Sequence, residues 1–227
     1  MHPVLAVTGL AKEARLAAGP GVEAVGAGGS PERLRARLAA RPTPGCRAVV
    51  SFGISGGLDP TLAPGAIVIA NAIVTETGRH EADAAIRGAL LAALAAAGLR
   101  VLAADVVGVE TAVLSIAAKA ELRDRTGAAA VDMESHVAAD YAARHGLPLA
   151  AIRVVCDPAG RALPPFAAHA LKPDGEPDIR AVLTALARGD ARLGDLIRLA
   201  RDASVAFRAL ARCRARLGPD LGLAQTG

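Results

Sequence analysis

Apolar residues arrive along this chain in short unbroken runs, separated by stretches where they recur every three or four positions. The first pattern is that of strands buried on both faces, the second that of amphipathic helices. Runs at Pro3–Thr8, Val22–Gly26, Arg47–Phe52, Ala66–Val74, Val101–Val109, Ala128–Asp132 and Leu149–Val155 predict strands. Helical spacing predicts helices over Leu10–Ala18, Pro31–Ala40, Ala82–Ala97, Ile116–Arg125, Glu134–His145, Ile179–Ala187 and Ala191–Leu217. Ser30 before Pro31 is an N-cap followed by a proline at the first helical position, and Gly98 and Gly127 close two helices. The alternation predicts one α/β domain over residues 1–227. Ligands of such sheets gather beyond the carboxyl ends of strands. That rule directs attention to Gly9–Glu13, to a glycine loop at Gly53–Gly57, to Asp132–Glu134 and to Asp157. The five prolines within Asp157–Pro177 read as a mobile active-site loop.

Composition narrows the function classes. Of 227 residues, 52% are hydrophobic and 21% charged, which excludes a disordered chain. Aromatics make up 2% (Tyr141, Phe52, Phe166 and Phe207), too few for a stacking platform on single-stranded nucleic acid. The net charge of +4 lies wholly in the tail. From Ala191 onward seven arginines face three aspartates, while the chain before it is balanced. Lys12, Lys119 and Lys172 are the only lysines, and so arginine-biased a composition reads as coding preference, not as a phosphate-binding surface. Three scattered cysteines without a CxxC indicate neither a disulfide framework nor a zinc site. No basic segment precedes an apolar one at the start, and Gly88–Leu99 is too short to span a bilayer, so a cytoplasmic location is expected.

The chemistry-bearing segments each carry a plain reading beside a functional one. Gly26-Ala-Gly-Gly-Ser30 follows a strand, but Pro31 holds the third glycine position and no acid follows at the right distance. This is a turn and not a nicotinamide site. Ser51-Phe-Gly-Ile-Ser-Gly-Gly-Leu58 suits close backbone approach to a ligand but lacks the lysine of a P-loop. In Val131-Asp-Met-Glu-Ser135, two carboxylates two residues apart point to opposite faces. Asp132 reads as structural, and Glu134 either faces the crevice or caps the next helix. Glu13 is a first-turn surface acid or a site residue, and Asp157 is an Asp-Pro loop opener or a site residue. The histidines share no motif, although His136 is placed to support Glu134. Acids converging at strand ends suit a cationic transition state such as that of glycosidic cleavage.

Four segments in order, Gly9-Leu-Ala-Lys-Glu13, Gly53-Ile-Ser-Gly-Gly-Leu58 with Pro64-Gly65-Ala-Ile-Val68, Val131-Asp-Met-Glu134 and Arg153-Val-Val-Cys-Asp157, resemble the purine nucleoside phosphorylase/uridine phosphorylase superfamily. Within it the chain is similar to the nucleosidases that hydrolyse 5′-methylthioadenosine and S-adenosylhomocysteine. Asp132-Met-Glu-Ser-His136, Asp157-Pro-Ala-Gly-Arg-Ala-Leu-Pro-Pro165 and the arginine-rich last helix resemble more closely the hopanoid-associated nucleosidases. Those release adenine from adenosylhopane and leave ribosylhopane. The resemblance implies a three-layer fold with a mixed central sheet, a small-molecule nucleoside substrate and a homo-oligomer, in the first instance a dimer. It implies no cofactor and no metal.

Carried over position by position, the resemblance makes Asp157 the acid that protonates N7 of the leaving purine. Glu13 becomes the carboxylate that activates water, Glu134 the ribose-hydroxyl ligand, and Met133 a residue packed on the sugar. Ser55 and Gly56 approach the ligand, and Val109, Thr111 and Val113 stand where the family places a base-stacking phenylalanine. Asp157 must then hold its proton at neutral pH, raised by burial and by the Glu13 and Glu134 charges, while Glu134 stays ionised. Ser51 stands where phosphorylases place a phosphate-binding arginine, which favours hydrolysis; Arg15 and Arg79 are the cations near enough in sequence to restore phosphorolysis. Ile54 replaces a serine common in nucleosidases. The readings carried forward are an adenosine-nucleoside hydrolase, a general methylthioadenosine/S-adenosylhomocysteine nucleosidase or phosphorylase, and a non-catalytic nucleoside-binding module.

In the last helix, residues 191–217, an apolar face of Leu193, Leu196, Ile197, Ala200, Ala203, Phe207 and Leu210 is predicted to pack on the domain. Arg192, Arg198, Arg201, Arg208 and Arg212 fall largely off that face. A sharper reading presses the basic side onto anionic lipid, as a peripheral membrane contact.

Overall fold

A computed structural model describes residues 2–41, 45–164, 176 and 193–223. Its strands follow from the apolar runs. β1 (Val4–Thr8) and β8 (Leu149–Asp157) are buried at every position. They run with β2 (Val22–Gly26), β3 (Ala48–Gly57), β4 (Ile67–Thr75), β5 (Gly78–Glu81), β6 (Val101–Gly108) and β7 (Ala130–Asp132). The helices among the described residues are α1 (Ala11–Ala17), α2 (Pro31–Ala39), α3 (Ala84–Ala96), α4 (Ile116–Thr126), α5 (Ser135–His145) and α6 (Leu193–Leu217).

The sheet is mixed, in the order β2-β1-β3-β7-β6-β4-β5, with β8 paired to both β3 and β4. β8 runs parallel to β3 and antiparallel to β4; β4, β6 and β7 are mutually parallel, and β7 meets the end of β3 antiparallel. β3, β8, β4, β6 and β7 thus close a ring, and β1 and β2 extend it as a parallel flap. Alternate residues of β1 point to opposite faces. Val4 and Ala6 join a cluster with Leu90 and Leu94 of α3 and Ala206, Leu210 and Cys213 of α6. Leu5 and Val7 join another with Leu34 and Leu38 of α2 and Val137, Ala138 and Tyr141 of α5. These are the three layers expected.

Two expectations need correction, and one strand was not anticipated. The segment Gly53–Gly57 is not a loop: β3 continues through it to Gly57, because its glycines leave room for functional side chains. The hairpin strand β5, polar Gly-Arg-His-Glu, carries no apolar pattern and pairs only with β4. In α6 the buried stripe is Asp202, Ala206, Ala209, Leu210, Cys213 and Leu217, whereas Leu193 and Ile197 are over 60% exposed. The helix packs on α1, α3 and β8, and its Ala206, Ala209, Leu210 and Cys213 share a core cluster with Leu90, Leu94 and Ile152 that does not include Leu193. The expected helix Ile179–Ala187, Phe166, Arg192 and most of the Asp157–Pro177 loop lie outside the described residues. No described helix is long and apolar enough to cross a membrane.

Candidate active site

Glu13 is the third residue of α1, so its side chain folds back over the helix start. Oε2 accepts the N–H groups of Gly9 (2.8 Å) and Leu10 (2.7 Å), and Oε1 accepts the N–H of Ile54 on β3 (2.7 Å). The first-turn surface reading is thereby overturned: Glu13 is 1% exposed. Burial pushes its carboxyl up, against the pull of the Arg153 guanidinium and the three N–H groups.

The Asp132/Glu134 pair divides its labour. Asp132 caps α5: Oδ1 accepts the N–H of Glu134 (2.8 Å) and of Ser135 (2.6 Å), and Oδ2 accepts the Ser135 hydroxyl (2.6 Å). Glu134 is the N-cap residue, yet its side chain makes no capping bond. Its carboxyl instead lies against Gly9, where a Cβ would sit 2.5 Å from Oε1. Glu134 was expected to stay ionised. Burial instead lifts it to about 8, with Arg153 opposing and Asp132 and Glu13 adding to the rise.

Arg153 gathers these acids. It is fully buried on β8, with Nε 3.0 Å from Asp132 Oδ2 and Nη1 3.4 Å from Glu134 Oε2. Nη1 also donates to the Ile54 carbonyl (3.2 Å), and Nη2 donates to the Ser135 hydroxyl (3.2 Å) and to that of Ser51. Gly53 makes this possible, since a Cβ there would lie 2.6 Å from Glu13 Oε1 and 2.8 Å from Arg153 Nη1.

Asp157 ends β8, just beyond a register shift at Ser55/Gly56 of β3. A Cβ at Gly56 would lie 3.2 Å from its Oδ2, so the glycine lets the carboxyl rest on the strand. Burial raises Asp157, as expected, but the opposing influence is Lys119, followed by Arg161, and the Glu13 and Glu134 charges are not the cause. Lys119 is fully buried and its Nζ lies 2.5 Å from Asp157 Oδ2. Glu13 is tied to Ile54 and Asp157 rests on Gly56, so their anchor points stand two residues, about 7 Å, apart along one strand.

Of the other expected residues, Ser55 is buried in the same stretch and its hydroxyl has no hydrogen-bond partner among the described residues. Met133 is half-buried between Asp132 and Glu134. Val113, with Val109, packs on the cluster of Leu58, Val107, Leu122 and Val131, of which Val131 borders Gly56, and not among the acids. Thr111 is exposed. His136 turns away from Glu134, its Nε2 2.9 Å from Glu110 Oε1. Arg15 pairs with Glu176, and Arg79 with Glu81 and Asp105, both outside this cluster. Two residues were missed. Arg153 was legible as a charge inside an all-buried strand, which must have partners. Lys119 was not, for its helix carries no marked apolar stripe.

The fold is that of an α/β enzyme, with its buried carboxylates at the strand ends. The chain belongs to the phosphorylase superfamily, whose family model matches residues 4–198. Among solved structures it is similar to futalosine hydrolase of Helicobacter pylori (13% identity, 94% of this chain and 97% of that chain covered, TM-score 0.67). It is similar also to the 5′-methylthioadenosine/S-adenosylhomocysteine nucleosidases of Neisseria meningitidis, solved with methylthio-immucillin-A (16%, 96% and 98%, 0.67), and of Campylobacter jejuni (11%, 94% and 98%, 0.65). At these identities the likeness is one of fold. A search of curated protein sequences gives no match.

Proposed function

We propose that this enzyme hydrolyses the N-glycosidic bond of an adenosine nucleoside, releasing adenine. The observation that carries the reading is the pair of buried carboxyls, Glu13 and Asp157, anchored about 7 Å apart on one strand. Both carboxyls are buried and held against the same stretch of β3, which supports their serving one substrate as base and acid. Asp157 donates its proton to N7 of the purine, so that the base departs neutral. Glu13, locked by three N–H groups, orients the water and takes its proton. Glu134 accepts the ribose hydroxyls, Met133 packs on the sugar, Ser55 and Gly56 line the sugar and C1′ face, and Val113 borders the base pocket. General acid assistance of this kind is worth about 10²–10⁴-fold. No step requires a metal or a cofactor.

Hydrolysis is favoured over phosphorolysis because Arg15 and Arg79 are engaged by acids elsewhere and Arg153 is surrounded by carboxylates. For the 5′ substituent we propose a large apolar group, that of adenosylhopane, on the resemblance of the Asp132–His136 and Asp157–Pro165 segments. The exposed Leu193 and Ile197 beside Arg198 and Arg201 suit an apolar, membrane-borne substrate and a peripheral lipid contact. We propose a homodimer as the working assembly, testable by light scattering.

Adenine release from adenosylhopane and from 5′-methylthioadenosine, each with and without phosphate, tests the reading. Phosphate-independent release, faster from adenosylhopane, is expected. Faster release from methylthioadenosine indicates a general nucleosidase, dependence on phosphate indicates a phosphorylase, and no release leaves a binding module.

A further inference from the structure

Lys119 stands out among the groups that the proposed chemistry does not use. It is fully buried, one turn into α4, in a chain with only three lysines. Its Nζ lies 2.5 Å from Asp157 Oδ2 and donates to the carbonyls of Pro158 (3.1 Å) and Arg161 (3.0 Å), with that of Asp157 at 3.4 Å. An ammonium has three protons, and here they meet one carboxyl oxygen and the backbone that follows it. Burying a cation demands a partner, and the partner here is the carboxyl at the strand end where the base is to be protonated.

We propose that Lys119 is a positioning residue of the reaction: it pins Oδ2 of Asp157 and the 158–161 backbone behind it, so that Oδ1 faces the purine and the carboxylate left after proton transfer is matched by a cation. The inference rests on Asp157 being the acid. In the step, the proton passes from Asp157 to N7, the C1′–N9 bond breaks with its electron pair going to the purine, and water adds to C1′ while its proton goes to Glu13. Asp157 is left ionised against the Lys119 ammonium, and Glu13 neutral; solvent returns the proton as products leave. Burial alone would make Asp157 hold its proton too firmly to give it up, and the Lys119 charge opposes that.

The test compares wild type with Lys119→Met and Lys119→Gln. The glutamine keeps a donor for the Pro158 and Arg161 carbonyls without the charge. Two substrates are used: an adenine nucleoside, whose base needs protonation, and a 4-nitrophenyl riboside, whose leaving group departs as a stable anion. Both variants are expected to lose about 10²-fold in kcat on the adenine nucleoside, with KM little changed. Loss on the nitrophenyl riboside should be less than about fivefold. The alkaline limb of the adenine profile should move to higher pH, because an acid without its cation keeps its proton longer. Equal losses on the two substrates, or an alkaline limb that does not move, overturn the inference and leave Lys119 a structural residue. A wild-type protein that cleaves neither substrate overturns the hydrolase reading itself, which the variant ratios cannot do.

Discussion

Glu134→Gln should flatten the pH dependence of stability. Glu134 is 8% exposed, so its carboxyl is little screened by solvent. Burial lifts it to about 8 in the folded protein, from 4.5 in the unfolded chain. Between those values the folded state holds a proton that the unfolded state has released. Stability is therefore full below the unfolded value, falls as pH rises, and levels off only once the folded carboxyl has also ionised. A difference of one proton is worth about 1.4 kcal/mol per pH unit, so raising the pH by about two units within this window removes about 3 kcal/mol. For a domain of this length that is a fall of about 5–10 °C in Tm. Glutamine keeps the shape of the protonated acid and an amide oxygen for Arg153, and it has nothing to titrate. Asp157 adds a slope of the same sign that both proteins carry, whereas Glu13 and Glu134 repel each other, so the Glu13 slope also shrinks in E134Q and adds to the difference. Thermal unfolding of wild type and E134Q from about pH 5.5 to 8.5 measures the difference directly. Parallel curves would refute the burial-raised carboxyl, and with it the account of how Arg153 shares its charge between Asp132 and Glu134.

The site and its surroundings yield further expectations. Asp157→Asn should lower the rate of adenine release by about 10²–10⁴-fold, read by a coupled adenine assay; an unchanged rate removes Asp157 from the reaction. Gly108→Ala places a Cβ 2.5 Å from both the backbone nitrogen and the Cβ of His136. Overpacking β6 against the start of α5 should cost about 1–3 kcal/mol, and a Tm within a degree of wild type would contradict that packing. Nucleoside binding should release a proton between about pH 6 and 8, as ribose hydroxyls come to favour the ionised form of Glu134. Calorimetry in buffers of different ionisation enthalpy detects it, and identical heats would mean that the carboxyl does not meet the sugar. Liposome flotation of wild type against an Arg208/Arg212/Arg216→Glu variant tests the lipid contact of α6, and equal recovery of both would eliminate it.

Strand runs and helix caps were readable in advance because burial on both faces and N-capping leave local marks. Val4–Thr8 and Leu149–Val155 carry no polar alternation, and Ser30 accepts the Arg33 N–H at 3.2 Å as an N-cap should. Closure of the sheet left no such mark. It depends on Val68 of β4 meeting Arg153 of β8 while Val50 of β3 meets Ala150 of the same strand, a long-range choice invisible in any window. The glycine run after Phe52 reads locally as a loop. It is strand because Gly53 and Gly56 each stand where another element inserts a charged side chain, and that reason lies outside the run. The four acid-bearing segments were legible as motifs, but the cations that serve them were given no role by the sequence. Arg153 needed its strand to be recognised as buried throughout, and Lys119 needed the 158–161 backbone to curl over α4.

The same cations explain how one buried site can hold both an acid and a base. Four carboxyls, Glu13, Asp132, Glu134 and Asp157, surround two buried cations, Lys119 and Arg153. Fully ionised, this group would carry an excess of two negative charges in a region little exposed to water, which desolvation opposes. The upward shifts of Glu13, Glu134 and Asp157 show where protons can reside. In the proposed reaction one proton leaves Asp157 for the base and another arrives at Glu13 from water. The site thus ends with the charge it began with, and only the distribution changes, from the Arg153 side toward the Lys119 side. A reaction that created a new net charge here would work against the low dielectric at its most costly point. Moving one proton out and one in lets burial raise the acid while each carboxylate stays within reach of its own cation.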